Sequence, residues 1–339
     1  MKTYLVTGGA GFIGSNFIIY LLNKYNDIKL INLDKLTYAG NLENLKIIEN
    51  DKRYIFVHGD ICDSTLVSSL FKDYTIDYVI NFAAESHVDR SILDPDIFVN
   101  TNIIGTVNLL NCAKKAWEDS SDCYKDGVKF VQISTDEVYG SLGKIGYFTE
   151  NTPLNPHSPY SASKTSADMM VKAYFDTYKM PINITRCSNN YGPFQFPEKL
   201  IPLLIKNCLD FNKLPVYGDG LNIRDWLYVE DHVKAIDMVI NKGRYGEDYN
   251  IGGNNERANI DIVRKILNYL NENVNDKINE DLIEYVEDRK GHDKRYAIDA
   301  SKIKSELGWY PEVNFEDGII KTIRWYLSNQ EWINNIENK

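Results

Sequence analysis

Three glycines near the N-terminus constrain the fold most strongly, because they join a strand pattern to a helix pattern. The apolar run at residues 4–7 predicts a strand, and apolar residues three and four apart from Ile13 onward predict a helix. Gly8 allows the tight turn between them, Gly11 lets the backbone approach a pyrophosphate, and Gly14 lets helix and strand pack closely. The helix N-terminus then presents unpaired N–H groups to the phosphates. This context predicts a dinucleotide-binding unit more strongly than a glycine triplet alone would.

An acidic residue follows the second strand pattern at the position where a ribose would lie. The second predicted strand, residues 29–33, ends in Asp34, which comes 20 residues after Gly14. A carboxylate there accepts hydrogen bonds from the adenosine ribose and repels a 2′-phosphate. Asp34 therefore favours NAD over NADP, and the alternative is an aspartate that only caps the strand.

Further apolar runs at residues 54–57, 78–82 and 128–133 alternate with helix patterns. Strands that alternate with helices predict a parallel sheet with right-handed crossovers. The predicted fold class is therefore α/β, with a Rossmann-type doubly wound parallel sheet and a smaller mixed α/β domain in the C-terminal half.

Composition excludes several classes of protein. The 339 residues suffice for one large or two ordinary domains, and a net charge of −10 argues against nucleic acid as a main partner. No window approaches the ~18 apolar residues of a membrane helix, and the first apolar run is too short for a signal peptide. Five cysteines without paired spacing favour reduced thiols in the cytoplasm, and five scattered histidines predict no metal site.

Two adjacent carboxylates, Asp136 and Glu137, follow the apolar run that ends at Ile133. Buried carboxylates are costly unless they are paired or used, and ligands of open α/β sheets bind beyond the carboxyl ends of the strands. Adjacent acids in one site push their pKa values apart, which suits one acid and one base. A solvated acidic turn is the alternative, and adjacency alone does not say which residue would be the acid.

A tyrosine and a lysine lie four residues apart at the start of another helix pattern. This spacing places Tyr160 and Lys164 on one helical face. A free tyrosine has a pKa of about 10, and a neighbouring ammonium lowers it. Such a tyrosine could take the proton of a substrate alcohol during oxidation by NAD. A surface pair without function is the alternative.

Together, the glycine loop and the segment from Tyr160 to Lys164 resemble the extended short-chain dehydrogenase/reductase family, and within it the NAD-dependent sugar epimerase and dehydratase group. The resemblance covers nearly the whole chain and includes residues 34–42, 83–91, 134–140, 187–193, 224–232 and 291–296. The segment between Gly140 and Tyr160 is shorter than in some members of the family, which leaves the motifs intact.

The resemblance implies a nucleotide-sugar 4,6-dehydratase activity on dTDP-glucose. C4 is oxidised, water is eliminated across C5 and C6, and hydride returns to C6, so that tightly bound NAD is regenerated in each turnover. The resemblance assigns the O4 proton to Tyr160 with Lys164, the C5 proton to Glu137, and protonation of the leaving C6 hydroxyl to Asp136. It places Thr135 on the substrate O4, and a hydroxyl that only caps its own turn is the alternative.

The resemblance also implies two sets of binding residues. Contacts with NAD are expected from Gly8, Gly11, Phe12, Ile13, Gly14, Asp34, Lys35, Leu36, Thr37, Asp60, Ile61, Phe82, Ala83, Ala84, Ser86, Thr101, Tyr160, Lys164 and Asn190. Contacts with the nucleotide sugar are expected from Ser86, His87, Thr135, Asn189, Glu198, Lys199, Leu200, Pro215, Val216, Tyr217, Arg224, Asn259, His292, Asp293, Lys294, Arg295 and Tyr296.

The implied organisation is an NAD-binding domain of residues 1–187 with about 221–250, and a nucleotide-sugar-binding domain of about 188–220 with 251–339. A homodimer is expected through the helices near residues 100–117 and 160–178, although burial within one chain would give the same apolar faces. Another nucleotide-hexose dehydratase stays open, because the sequence does not fix the base. A nucleotide-sugar 4-epimerase would not need the acid pair, and a silent NAD-binding scaffold would need neither Tyr160 nor Lys164.

Overall fold

The computed structural model describes residues 1–120, 123–288 and 293–337. The strands are β1 (Lys2–Thr7), β2 (Ile28–Asp34), β3 (Tyr54–His58), β4 (Tyr78–Asn81), β5 (Glu118–Ser120), β6 (Cys123–Tyr124), β7 (Lys129–Thr135), β8 (Ile182–Cys187), β9 (Asn189–Tyr191), β10 (Leu214–Tyr217), β11 (Ile223–Tyr228), β12 (Asp248–Ile251), β13 (Glu256–Ala258) and β14 (Ile283–Val286).

The α-helices are α1 (Phe12–Lys24), α2 (Ser64–Asp73), α3 (Val88–Leu93), α4 (Pro95–Phe98), α5 (Thr106–Trp117), α6 (Pro159–Tyr178), α7 (Leu200–Leu209), α8 (Val229–Lys242), α9 (Asn259–Asn273), α10 (Ser301–Leu307), α11 (Phe315–Ser328) and α12 (Gln330–Glu337). The 3₁₀ segments are Leu42–Ile48, Asp136–Tyr139 and Glu280–Leu282, and Val99–Gly105 is π-helical. Within the described residues, no helix is both long and apolar enough to cross a membrane.

The main sheet has the strand order β3-β2-β1-β4-β7-β8-β12, and every neighbouring pair is parallel. This order confirms the predicted doubly wound α/β fold. The chain proceeds to one side of β1 through β2 and β3, and then to the other side through β4 and β7. In such sheets a ligand binds beyond the carboxyl ends of the strands, where the order reverses.

Both faces of the main sheet are covered. Leu5 and Ile31 belong to a core that includes α2, α5 and α6, whereas Tyr4 and Val6 face the opposite core, which includes α1 and α8. Because neighbouring residues of a strand point to opposite faces, a strand covered on both faces is apolar throughout. This burial explains why apolar residues of these strands face both sides of the sheet.

A separate core lies in the C-terminal half and is linked to the main sheet by β11. Helices α7, α9, α11 and α12 pack around it, together with the three-stranded sheet β13-β11-β9 and the pair β10-β14. Trp226 and Tyr228 of β11 point into this core, whereas Leu227 between them belongs to the core that includes α1. Strand β11 therefore fixes one core against the other.

Two local predictions need correction. The helix pattern after residue 99 is interrupted, because a π-helical turn precedes α5. The segment at residues 188–193 is not a loop throughout, because it contains β9, which pairs with β11. Partner strands far away in the chain determine such short elements, and local periodicity does not reveal them.

Candidate active site

A cleft of about 360 Å³ lies at the carboxyl ends of β1, β2, β4 and β7. Every residue predicted to contact NAD lines this cleft except Leu36. Leu36 instead adopts a left-handed conformation with φ of 54° and donates its backbone N–H to Asp34 Oδ1 at 2.7 Å. The strand-order reversal therefore brings together residues that are up to 182 positions apart, from Gly8 to Asn190.

The glycine loop fits a dinucleotide diphosphate. Gly8 has φ of 67°, and a Cβ there would lie 2.6 Å from the backbone nitrogen of Ala83. A Cβ at Gly14 would lie 2.4 Å from the carbonyl oxygen of Gly8. Helix α1 begins after Gly11 without a side-chain cap, so its first N–H groups are available to a phosphate at the cleft. Glycine is thus required for the turn and for packing, as the sequence predicted.

Asp34 is held at the edge of the cleft by the backbone. Its Oδ2 accepts the N–H of Ala10 at 2.9 Å, and its Oδ1 accepts the N–H of Leu36. Burial raises the pKa of Asp34, and the two N–H donors oppose that shift. The carboxylate lines the cleft with a fixed orientation, which suits recognition of ribose hydroxyls.

Asp136 and Glu137 lie in the same cleft in different environments. They begin a 3₁₀ turn directly after β7, where Thr135 Oγ1 accepts the N–H of Glu137 at 3.3 Å. Asp136 is 1% exposed, and its Oδ2 has no hydrogen-bond partner among the described residues. Glu137 is half-buried. The local alternative for Thr135, a hydroxyl that caps its own turn, is therefore present in the structure.

The pKa of Asp136 is raised well above its usual value. Burial is the main cause, the charges of Glu137 and Asp225 add to it, and Arg224 opposes it. A shift in this direction favours the protonated carboxyl, which is the form that can donate a proton. The direction of this shift agrees with Asp136 as the acid of the pair, and the assignment stays a prediction.

Tyr160 and Lys164 extend from the first turns of α6. This helix starts with a capping box, in which the side chains of Ser158 and Ser161 bond to each other's backbone N–H groups. Lys164 Nζ donates to the carbonyl oxygen of Ile133 at 2.6 Å, at the end of the strand that carries the acid pair. Both predicted reactive residues therefore face the cleft.

The expectation that Lys164 lowers the pKa of Tyr160 needs correction. Burial and the charge of Glu137 raise the pKa of Tyr160 well above its usual value, and a hydrogen bond with Thr135 opposes them. Burial also lowers the pKa of Lys164, against the charge of Asp168. The ammonium is directed at a backbone carbonyl, so these protein groups alone do not favour the phenolate.

Four residues predicted to contact the nucleotide sugar also line the cleft: Ser86, Thr135, Asn189 and Lys199. Two more form a polar cluster beside it, since His87 Nε2 lies 3.7 Å from Glu198 Oε2. Glu198 Oε1 is 3.7 Å from Lys199 Nζ. Leu200 follows as the first residue of α7.

A second group approaches the acid pair from the C-terminal half. The Arg224 guanidinium lies 4.4 Å from the centre of the Tyr296 ring, and its Nη2 donates to the carbonyl oxygen of Asp293 at 2.9 Å. The hydroxyl of Tyr296 donates to the Asp293 carboxylate. The charge of Arg224 lowers the pKa of Asp136, and the charge of Glu137 raises the pKa of Tyr296. Arg224 and Tyr296 therefore lie near the acid pair.

The other predicted sugar contacts do not line the cleft. Val216 is buried in the C-terminal core, between Pro215 and Tyr217 of β10. Arg295 is paired with Glu256 at 2.7 Å, and Lys294 is exposed. Asn259 begins α9, and its Oδ1 has no partner among the described residues. His292 lies outside the described residues.

Sequence reasoning missed part of the lining. The missed residues are Leu33, Ala39, Gly40, Gly59, Glu85, Ile133, Ser134, Cys187, Ser188, Gln195 and Phe196. Most are direct neighbours of predicted residues in the same strand ends, and that adjacency was the available signal. Glu85 adds a third buried carboxyl, whose pKa is raised by burial.

Known proteins resemble this chain closely. The sequence profile of the family described as GDP-mannose 4,6 dehydratase matches residues 5–322. The chain is 53% identical over 339 residues to dTDP-glucose 4,6-dehydratase of Xanthomonas campestris pv. campestris (strain B100), covering 99% of this chain and 96% of the relative.

Two solved structures share the fold over nearly the whole chain. That of dTDP-glucose 4,6-dehydratase from Bacillus anthracis str. Ames in complex with NAD is 51% identical, with a TM-score of 0.89 and coverage of 99% of this chain and 100% of that one. That of dTDP-glucose 4,6-dehydratase from Streptomyces venezuelae with NAD bound is 46% identical, with a TM-score of 0.90 and the same coverage.

Proposed function

The chain belongs to the GDP-mannose 4,6 dehydratase family, and from this premise we propose that it is a hydro-lyase that converts dTDP-glucose to dTDP-4-keto-6-deoxyglucose. The cofactor is NAD, consistent with the glycine loop and with Asp34. The observation that carries the proposal is the buried Asp136, whose pKa is raised, beside the half-buried Glu137 in the cleft that Tyr160 lines. An acid next to a base is what elimination of water requires.

The chain's own residues divide the proton transfers between them. Tyr160 takes the proton from O4, while Thr135 orients that hydroxyl. NAD, when bound in the glycine cradle, accepts hydride from C4 and returns it to C6. The C4 ketone makes the C5 proton acidic, so that Glu137 can remove it while Asp136 protonates the departing C6 hydroxyl.

The pKa of Tyr160 must fall before this residue can act as a base. Burial and Glu137 raise its pKa, so positive charge is needed close to the phenol. Lys164 is held by the carbonyl of Ile133 and acts as an ordered cation behind the tyrosine. Oxidation of C4 therefore depends on a loaded cofactor site as well as on the pair.

The nucleotide diphosphate occupies the C-terminal half of the site. Lys199 at the cleft and Arg224 beside the acid pair are the cations that we assign to the diphosphate, and Arg295 is largely neutralised by Glu256. The Oδ1 of Asn259, which has no partner in the described part of the chain, offers an acceptor to the nucleotide. For this proposal we divide the chain into residues 1–187 with about 221–250 for NAD, and about 188–220 with 251–339 for the sugar nucleotide.

We also propose that the protein is a homodimer and that it works in the cytoplasm. Apolar side chains are exposed on the helical segments at Val99–Gly105 and Pro159–Tyr178, as a homodimer interface requires. The five cysteines are all free, which fits a reducing cytoplasm.

One assay tests the function. Purified protein is incubated with dTDP-glucose without added NAD, and a 4-keto-6-deoxy sugar is detected by its absorbance in alkali and by NMR. Product is expected in this reaction, because each turnover regenerates the cofactor. A parallel reaction with UDP-glucose tests the base preference, which the sequence left open. If no product forms even after NAD is supplied, the dehydratase assignment is wrong; product epimerised at C4 with its C6 hydroxyl intact would instead favour the epimerase alternative.

A further inference from the structure

We propose that helix α12 forms part of the cofactor site, because Trp332 positions the glycine loop through Asn44. This inference rests on the proposed function only in that NAD is the bound cofactor. Trp332 acts through other residues and lies in the C-terminal core, so it is a positioning residue. Its expected effect is on retention of NAD.

Two hydrogen bonds connect the helix to the loop, and a third holds the same loop carbonyl. Trp332 Nε1 donates to Asn44 Oδ1 at 2.9 Å, and Asn44 Nδ2 donates to the carbonyl oxygen of Ala10 at 2.9 Å. The same carbonyl accepts the backbone N–H of Asn41 at 2.9 Å. Ala10 stands between two glycines of the loop, and its own N–H is bonded to Asp34. The N–H and the carbonyl oxygen of Ala10 are thus both bonded to residues outside the loop.

Burial makes this connection strong. Asn44 is 2% exposed and Trp332 is 8% exposed, so water has little access to either side chain. A buried amide that loses its partner is left with the cost of its desolvation. Asn44 has one side-chain donor bond and one side-chain acceptor bond in the structure, and the acceptor bond is the one to Trp332.

The indole ring itself is held by other aromatic rings. Its centre lies 5.0 Å from that of Trp325 and 6.1 Å from those of Phe194 and Tyr326. Edge contacts of this kind leave the ring little rotational freedom. Packing therefore directs the indole N–H at Asn44. Through this bond, the C-terminal core restricts the conformation of the glycine loop.

The consequence is a loop that is ordered before NAD arrives. Glycines at three positions give this loop a high conformational entropy, which must be lost when the diphosphate binds. Ordering it beforehand lowers that cost and favours retention. Loss of the Trp332 bond should therefore weaken NAD binding while the nucleotide-sugar half stays intact.

The test compares two conservative substitutions in the same aromatic cluster. Trp332→Phe keeps an aromatic ring and removes the N–H donor, whereas Trp325→Phe keeps a ring beside the Trp332 indole and leaves the Trp332–Asn44 bond in place. We measure NAD bound per chain after purification, the Kd for NAD after its removal, and the Kd for dTDP. Trp332→Phe is expected to raise the Kd for NAD about fivefold, the factor for one buried hydrogen bond. Its Kd for dTDP, and both constants of Trp325→Phe, should match wild type.

A rescue experiment and a double variant test whether Trp332 acts through Asn44. Saturating NAD should restore the turnover of Trp332→Phe, which general unfolding would not allow. Asn44→Ala should weaken NAD binding by itself, and adding Trp332→Phe to it should cause no further loss. An unchanged Kd for NAD in Trp332→Phe, or fully additive effects in the double variant, would overturn the inference. Wild-type protein that fails to bind NAD would overturn the proposed function first.

Discussion

Two adjacent side chains differ because of what surrounds them. Asp136 is enclosed by the protein, whereas Glu137 is partly open to the cleft. We predict that Glu137→Gln abolishes exchange of the C5 hydrogen with solvent, since no base is left to remove it. Asp136→Asn should still oxidise C4 but lose the C6 hydroxyl slowly, by a factor of about 10²–10⁴ for a missing acid. Deuterium incorporation at C5 and single-turnover product analysis check both outcomes.

The assignment would be reversed by one result. If Glu137→Gln and wild type incorporate deuterium at C5 equally, Glu137 is not the base. The alternative base in the pair is then Asp136, and Asp136→Asn would be the variant in which exchange stops.

The raised pKa of Asp136 has a consequence for stability. A carboxyl whose pKa is higher in the folded state contributes fully at pH values below its unfolded pKa, and this contribution is lost as the pH rises through the folded pKa. We therefore expect Asp136→Asn to unfold at a higher temperature than wild type near pH 8, with the difference vanishing near about pH 4, the usual aspartate pKa. Calorimetry across this range measures the effect. Asp176→Asn, at an exposed position on α6, is the control.

The sequence predicted which residues react but left their protonation open. Spacing alone brought Tyr160 and Lys164 together, because four residues make one helical turn. Burial and the charge of Asp225 raise the pKa of Asp136, and the charge of Arg224 opposes them. Both charged residues lie about 90 residues further along the chain. No local pattern could supply these distant charges, and the same holds for the burial that raises the pKa of Tyr160.

At the scale of elements, α6 is fixed by an ion pair beneath the reacting residues. Asp168 Oδ2 accepts bonds from Arg186 Nε at 2.9 Å and from Ser134 Oγ at 3.0 Å. Arg186 also reaches the hydroxyl of Tyr139 and, at 3.0 Å, the carboxylate of Asp248. The cluster joins α6 to β7 and β8, so it holds Lys164 against the strand that carries the acid pair.

Removing one partner of this pair should be costly. Asp168→Ala leaves the buried Arg186 without its nearest carboxylate, and we expect the free energy of unfolding to fall by about 3–5 kcal/mol. Denaturation in urea measures this loss. The exposed Asp176→Ala on the same helix should change stability by no more than about 0.5 kcal/mol. Equal losses in the two variants would show that the network does not stabilise α6.

The elements of the main sheet could be predicted because their burial is uniform. Strands β1, β2 and β7 are covered on both faces and lack a strict alternation of apolar and polar residues. The π-helical turn at Val99–Gly105 and the short strand β9 were not predicted. Each depends on contacts made elsewhere: Asn102 of the turn bonds to Glu85 and Ser163, and β9 pairs with β11.

At the scale of the whole molecule, the two cores are joined by contacts that hydrophobic periodicity does not predict. Strand β11 contributes side chains to both cores, and α12 reaches back to the glycine loop through Trp332. The sequence predicted two parts of the chain from their motifs. The contact between them depends on residues nearly 290 positions apart, which only the folded chain brings together.

The exposed face formed by Ile104 and Met169 leads to a prediction about assembly. Ile104 is 52% exposed and Met169 is 47% exposed, on helical segments that pack side by side. Two copies related by a twofold axis would bury this face in a four-helix contact. We expect wild-type protein to sediment as a dimer and the variant carrying Ile104→Glu and Met169→Glu to sediment as a monomer, because buried like charges would face each other across the axis.

Exposure alone does not make an interface, and Ile145 allows that distinction to be tested. It is 86% exposed, more than either residue of the helical face, but it lies in the loop between Tyr139 and Phe148, where the carbonyl of Gly146 accepts a bond from Arg295. Ile145→Glu should therefore leave the dimer intact in the same sedimentation experiment. A dimer in the helical double variant, or a monomer in Ile145→Glu, would place the interface elsewhere. Retained NAD in each variant shows that the chain is folded, so a change in mass reports assembly.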